Sequence, residues 1–172
     1  MPTGVRPHYK ANPNAREFKN EKRELIIKPR GLNILAGNDS RYWRIPEEKD
    51  KNGAAELVEI LWLEVAGSAE LECNKKYEIS FKVSLTDDGF GWSGCPLIMM
   101  AKFGRRGTYF WKQIDQIKGG QAPFQIPKHD KFQITSPAKD DQKQLFFGLY
   151  EVWSRKPKGG LKIHHVLIKQ VD

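Results

Sequence analysis

The fold is decided by the stretch Lys76-Tyr77-Glu78-Ile79-Ser80-Phe81-Lys82-Val83-Ser84-Leu85-Thr86, in which polar and apolar residues alternate without a break. A period of two is typical of a β-strand with one buried face and one face in solvent. The turn residues Asp87-Asp88-Gly89 follow directly, so we expect the strand to end there.

Strand-like segments recur on both sides of this stretch, each short, rich in aromatic or β-branched residues and bounded by Gly, Asp or Pro. Segment 54–65 is ambiguous, and we interpret it as a strand that begins near Val58. Because no segment combines helical periodicity with caps, we predict an all-β, antiparallel sandwich or barrel. The further predicted strands are 97–103, 108–114, 145–153 and 161–168, with weaker candidates at 34–35 and 131–135.

The N-terminal part differs from the rest of the chain. Residues 1–31 contain eight basic and three acidic residues, so they carry +5 of the formal net charge of +8. Since this part is also polar and rich in proline, we predict a basic arm over residues 1–23 and one folded domain over residues 24–172. The total length of 172 residues suits a single domain with its own core.

Composition and spacing exclude several classes of protein. The longest apolar runs are far shorter than the ~20 residues of a membrane-spanning helix, so no transmembrane segment is predicted. The first ten residues lack an apolar signal core, which favours a cytoplasmic or nucleocytoplasmic protein. Cys73 and Cys95 have no Cys or His at ligand spacing, so we predict no metal site and no cofactor.

Catalytic patterns are also missing. Residues 89–94 spell G-x-G-x-x-G, but a strand follows instead of the helix whose N-terminus would take a pyrophosphate, so we interpret them as a hairpin. The neighbours His164 and His165 face opposite sides of a strand and cannot chelate one ion together. We therefore predict a non-catalytic protein.

The five tryptophans are more informative. Trp62 and Trp111 lie within apolar or strand-like runs and are predicted to be core residues, whereas Trp43 and Trp153 lie near turns. A loop tryptophan on a β scaffold can cover the C–H face of a sugar or stack on a base. Carboxylates nearby favour a sugar over a phosphate, but an aromatic cap on the core is the other reading of Trp43, and both stay open.

The motif Asn38-Asp39-Ser40-Arg41-Tyr42-Trp43 resembles the opening motif of the phloem protein 2 family, the plant lectins related to the tobacco lectin Nictaba. Segments that resemble later parts of the family follow in order at 55–67, 77–83, 147–151 and 160–163, so the likeness covers roughly residues 24–172. It implies a jelly-roll β-sandwich that binds chitooligosaccharides or the N-glycan core, without a metal. Members dimerise in several cases, so a second copy of the chain is a candidate partner.

The resemblance also implies site residues. Trp43 matches a tryptophan that the family uses in sugar binding, and Glu151 matches an acidic residue of the same site. The first tryptophan of the opening motif is absent, because Ala36 stands there, and Trp153 is the candidate for a second stacking residue near Lys158. The predicted carbohydrate-binding set is Trp43, Asn38, Asp39, Glu151, Trp153 and Lys158.

Two functions are thus carried forward. The first is a lectin for N-acetylglucosamine oligomers or N-glycan cores, whose partners are glycans or glycoproteins in the cytoplasm or phloem sap. The alternative is a basic adaptor that binds RNA or anionic lipid through its arm. Counterion release makes phosphate binding steeply salt-dependent, whereas sugar stacking is nearly salt-independent, so salt separates the two.

Overall fold

The computed structural model describes residues 7–120 and 122–172, and these residues form thirteen β-strands and two short 3-10 helices, Pro29–Gly31 and Asp140–Gln142. The strands are β1 Arg16–Lys19, β2 Glu24–Ile27, β3 Asn33–Ile34, β4 Trp43–Arg44, β5 Ala55–Leu57, β6 Leu63–Glu70, β7 Lys76–Phe90, β8 Ile98–Phe103, β9 Phe110–Gln113, β10 Phe124–Ile126, β11 Phe132–Thr135, β12 Gln144–Glu151 and β13 Gly159–Val171.

The strands pair antiparallel into two sheets. The five-stranded sheet has the order β3-β6-β12-β8-β9. The other sheet contains eight of the described strands: β13 lies beside β7, with β2 and β5 along the far side of β13 and β10 and β11 along the far side of β7. Strand β1 adds to β2, and β4 adds to β5. The predicted all-β sandwich of jelly-roll type is confirmed.

The alternating stretch 76–86 lies in β7, a central strand of the larger sheet. Its apolar side chains are buried between the sheets, and the ring of Phe81 contacts that of Phe147 from the opposite sheet edge-on, with centroids 6.1 Å apart. The predicted end at residues 87–89 is wrong, because β7 continues to Phe90, which pairs with Gly159. Long-range pairing thus outweighs the local turn signal.

The ambiguous segment contains two strands instead of one. Strand β5 ends at Leu57 and β6 begins at Leu63, so the predicted strand from Val58 is wrong. Between them, Ile60 forms an isolated bridge with Lys158, and the chain bends so that Leu61 and Trp62 point into solvent. Trp62 is 47% exposed, which corrects its prediction as a core residue.

The described part of the predicted arm contacts the domain. Tyr9 bridges Ile34, and β1 extends the larger sheet by pairing with β2. The boundary between arm and domain at residue 23 stays a prediction. Residues 1–6 of the predicted arm lie outside the described part of the chain. Among residues 7–120 and 122–172, no helix is long and apolar enough to cross a membrane.

Candidate functional site

Trp43 lies in the core, not on the surface. It is 2% exposed, because β4 pairs with β5 and places Trp43 beside the buried Leu57. Its indole N–H has no acceptor among the described residues. The predicted exposed platform at Trp43 is therefore corrected, and the alternative reading, an aromatic residue over the core, fits its position.

Glu151 and Lys158 form a buried ion pair. Both side chains are fully covered, and the ammonium nitrogen of Lys158 lies 3.2 Å from Oε1 of Glu151. Lys158 also donates to the backbone carbonyls of Leu61 and Lys156, at 2.8 and 2.9 Å. Burying two charges is costly unless both are paired and hydrogen-bonded, and here the remaining donors are used.

The carboxylate of Glu151 fixes the loop that follows β12. It accepts hydrogen bonds from the backbone N–H groups of Trp153 and Ser154, at 3.0 and 3.2 Å, and from the Ser154 hydroxyl. Burial raises the pKa of Glu151, but these bonds and the one from Lys158 outweigh it and hold the pKa below its usual value. Because both side chains are covered, neither reaches a ligand at the surface.

The six predicted site residues thus fall into separate places. The structure brings Glu151, Trp153 and Lys158 together, with Trp153 exposed by 51%. Asn38 and Asp39 lie in the loop between β3 and β4, where Asn38 donates to the carbonyl of His8 at 3.1 Å. Asp39 pairs with the guanidinium of Arg41 at 2.7 Å, which lowers the pKa of its carboxyl through hydrogen bonds and charge.

Trp111 is the functional candidate that the sequence reasoning missed. It is 64% exposed on the edge strand β9, which corrects its prediction as a core residue. Trp111 and Trp153 flank a groove of about 300 Å³ whose other lining residues are Pro96, Ile98 and Met100. We call this the tryptophan groove.

The register of the sheet explains the groove. Trp111 pairs with Met100, and Met100 pairs with Gly148, so the three residues form one row across the outer face. Gly148 allows the ring of Tyr150 to lie over it, because an added Cβ would come within 2.6 Å of that ring. The side chains of Trp111 and Met100 are therefore neighbours on the outer face, and the ring of Tyr150 covers the Gly148 end of the row.

Polar groups border the same outer face. Tyr150 lies between Glu64 and Ile98 in the neighbouring row, and Ile98 pairs with Gln113. Burial, together with the charges of Tyr109 and Glu64, raises the pKa of Tyr150 to about 12. Its hydroxyl thus stays protonated near neutral pH, when it can both donate and accept hydrogen bonds.

A cation covers the aromatic rings at the other side of the face. The ammonium of Lys102 lies 4.6 Å from the ring centroid of Tyr109 and 5.8 Å from that of Phe146.

In the described part of the chain, no group of three or more His, Cys, Asp or Glu residues could hold a metal ion. The arrangement offers stacking surfaces and hydrogen-bonding groups.

Sequence and structure comparisons place the chain among known proteins. It is 39% identical to "Protein PHLOEM PROTEIN 2-LIKE A9" of Arabidopsis thaliana, over 95% of this chain and 96% of that protein. It is 34% identical to a "Lectin" of Luffa acutangula over 74 residues, which is 40% of this chain and 35% of that protein.

The solved structures that it resembles are more distant. The structure described as "CBM4 structure and function" has 15% identity and a TM-score of 0.47, covering 95% of this chain and 94% of that one. TmCBM61 in complex with beta-1,4-galactotriose has 10% identity and a TM-score of 0.44, with coverage of 81% and 87%. Nothing about function follows from likeness at this level.

The model of the family Phloem protein 2 matches residues 22–170, and the chain belongs to this family.

Proposed function

We propose that this protein is a non-catalytic, carbohydrate-binding lectin whose binding site is the tryptophan groove. The observation that carries the proposal is the pair of exposed indoles, Trp111 and Trp153, which line a groove of about 300 Å³ with an apolar floor. Such rings can cover the C–H faces of sugars, and the loss of water from both surfaces favours the contact. Family membership and the lectin relative support the same function.

The ligand class that we propose is an oligosaccharide of N-acetylglucosamine, either a chitooligosaccharide or an N-glycan core. Its acetamide methyl group suits the apolar floor formed by Ile98 and Met100. The hydroxyl of Tyr150 and the side chains of Glu64 and Gln113 border the face and can exchange hydrogen bonds with sugar hydroxyls. We propose the cytoplasm or phloem sap as its location.

In this proposal Glu151 and Lys158 are positioning residues. Glu151 accepts the backbone N–H of Trp153 at 3.0 Å, so the buried pair fixes the backbone that carries one wall of the groove. A preformed wall spares the ligand the entropy cost of ordering a loop. Glu151 and Lys158 thus stay in the proposed site, as the family resemblance implies, but they act indirectly by positioning Trp153.

The test is calorimetry with chitotriose and with the N-glycan core pentasaccharide, on the full chain. We expect binding by the wild type and a loss of about tenfold in affinity for Trp111→Ala and for Trp153→Ala, since each removes one stacking surface. Phe18→Ala is the matched control, because Phe18 is an exposed aromatic residue on β1 of the other sheet.

The outcome decides between sites. If the Phe18→Ala control binds normally and both tryptophan variants lose affinity, the groove is the site. Undiminished binding by a Trp111→Ala/Trp153→Ala double variant would place the sugar elsewhere, and an absence of binding by the wild type would remove the lectin proposal.

A specific observation also favours the anionic-partner alternative. The outer face of the eight-stranded sheet presents Lys82, Lys162, His164 and His165, which we call the basic face. A β-bulge between Ile163 and His165 puts both histidines on this face, so the prediction that they face opposite sides is wrong. Lys19 and Lys28 lie close enough to act on His165. RNA or anionic lipid bound there should dissociate as salt rises. Retained binding at high salt would contradict this function.

A further inference from the structure

A second cavity lies beside β1, at one edge of the larger sheet. It has a volume of about 390 Å³ and is built by the N-terminal segment, the first 3-10 helix and the loop after β4. We call it the arginine cleft, and its charged lining residues include Arg16, Arg30, Lys28, Glu17, Glu48 and Asp50.

Two half-buried arginines in this cleft lack an anionic partner. Arg16 donates through Nη1 to the carbonyl of Ser68 at 2.9 Å, and Arg30 donates through Nη1 to that of Pro46 at 3.2 Å. Within the described residues neither forms an ion pair, and the Nε–H of each is buried without an acceptor. Burial also lowers the pKa of Arg16. Both guanidinium groups are therefore left without an anionic partner, and that of Arg30 lies over the ring of Tyr9, 5.8 Å from its centroid.

Three exposed arginines do have anionic partners, whereas the exposed Arg105, Arg106 and Arg155 form no ion pair within the described residues. Arg23, Arg41 and Arg44 are exposed, and each nevertheless pairs with a carboxylate, at 3.0, 2.7 and 2.9 Å. Burial makes an unpaired charge more costly, so the two half-buried arginines need a partner more than the exposed ones do. A bound oxyanion would supply it, because a hydrogen bond from a guanidinium to carboxylate or phosphate is charge-assisted and strong.

We propose that the arginine cleft binds a small hydroxylated organic anion, a sugar that carries a carboxylate or a phosphate. Arg16 and Arg30 take the anionic group. Glu17, Glu48 and Asp50 line the same cleft, where they can accept hydrogen bonds from hydroxyls and would repel a long polyanion. Lys28 donates to the carbonyl of Lys51 at 2.6 Å and so ties the two walls together.

The test is calorimetry on the full chain with glucuronate, glucose 6-phosphate, glucose and inorganic phosphate. We expect one or both anionic sugars to bind more tightly than glucose and phosphate, and the stronger of the two identifies the anionic group. Arg16→Gln and Arg30→Gln should each lower that affinity by about tenfold or more, because a charged hydrogen-bonded pair is lost.

Two further variants keep the test independent of folding and of the lectin site. Arg30→Lys keeps the positive charge but not the planar guanidinium with its several donors, so it should fold and still bind weakly. Arg23→Gln is the matched control and should bind normally, as should Trp111→Ala. Equal binding of glucose, normal affinity in both Arg→Gln variants, or no binding of either anionic sugar would overturn the proposal.

Discussion

The outer faces of the two sheets cover one core but present different chemistry. The five-stranded sheet presents Trp111, Met100 and Tyr150, with Trp153 beside them. The outward positions of β7 and β13, which are described in full, hold no tryptophan or tyrosine and instead carry the basic face. The difference lies only in the residues that alternate outward.

This comparison indicates that fold and function are set by separate halves of each alternating pattern. The inward residues specify the sandwich, since the hydrophobic core gains from burying them. The outward residues are free to differ, and on one sheet they form stacking surfaces while on the other they include the lysines and histidines of the basic face. Substitutions on one face, or in an ion pair of one sheet, therefore test how far the two sides differ.

The largest effect on stability is expected from breaking the buried ion pair of Glu151 and Lys158, which supports the backbone of Trp153. Lys158→Met leaves Glu151 charged and buried, so we expect a loss of about 3–5 kcal/mol in the free energy of unfolding. Urea denaturation measures it. Lys156→Met is the control, because Lys156 is an exposed neighbour whose side chain is outside this network. A loss of less than about 1 kcal/mol would mean that water already reaches the pair.

An intermediate effect is expected on the pKa values of the two histidines of the basic face. Burial, then the charge of Lys82, lowers the pKa of His164, and the same two causes act first on His165. Lys162 also acts on His164; Lys19 and Lys28 act on His165. Because the folded-state pKa values lie below the unfolded one, the stability linked to them is present above about pH 6.5 and is lost as pH falls through the folded values.

Lys82→Gln should raise the pKa of both histidines, because it removes a positive charge that faces each of them. Proton NMR titration of the imidazole rings measures this. Lys112→Gln on β9 of the other sheet should leave both titrations unchanged. If Lys82→Gln shifts the pKa of neither ring, the charge of Lys82 does not act on the two histidines, and the basic face does not act as one field.

The strands could largely be predicted from the sequence because their signal is local. The alternation over 76–86 fixes which side chains of β7 face the core, whatever strand lies beside it. The bend at Leu61 and Trp62 could not be predicted, because it depends on the bridge between Ile60 and Lys158, nearly a hundred residues apart.

The site could be predicted only in part, for a related reason. Alternation reports which residues share a face but not whether a strand has neighbours, and β9 lies at the edge, where Trp111 stays exposed. Trp43 follows a polar loop, yet its pairing with β5 turns it inward. The resemblance named Glu151, Trp153 and Lys158 as sugar-binding residues, but it did not indicate that Glu151 and Lys158 form a buried ion pair.

The smallest effect is expected from the ion pair on the eight-stranded side. Arg44 and Glu56 are 2.9 Å apart, closer than the 3.2 Å of Lys158 and Glu151, but their side chains are 69% and 26% exposed. Water screens this pair, so Arg44→Ala should cost at most about 1 kcal/mol in urea denaturation. Burial, not distance, then separates the two pairs, and a cost for Arg44→Ala equal to that for Lys158→Met would contradict this.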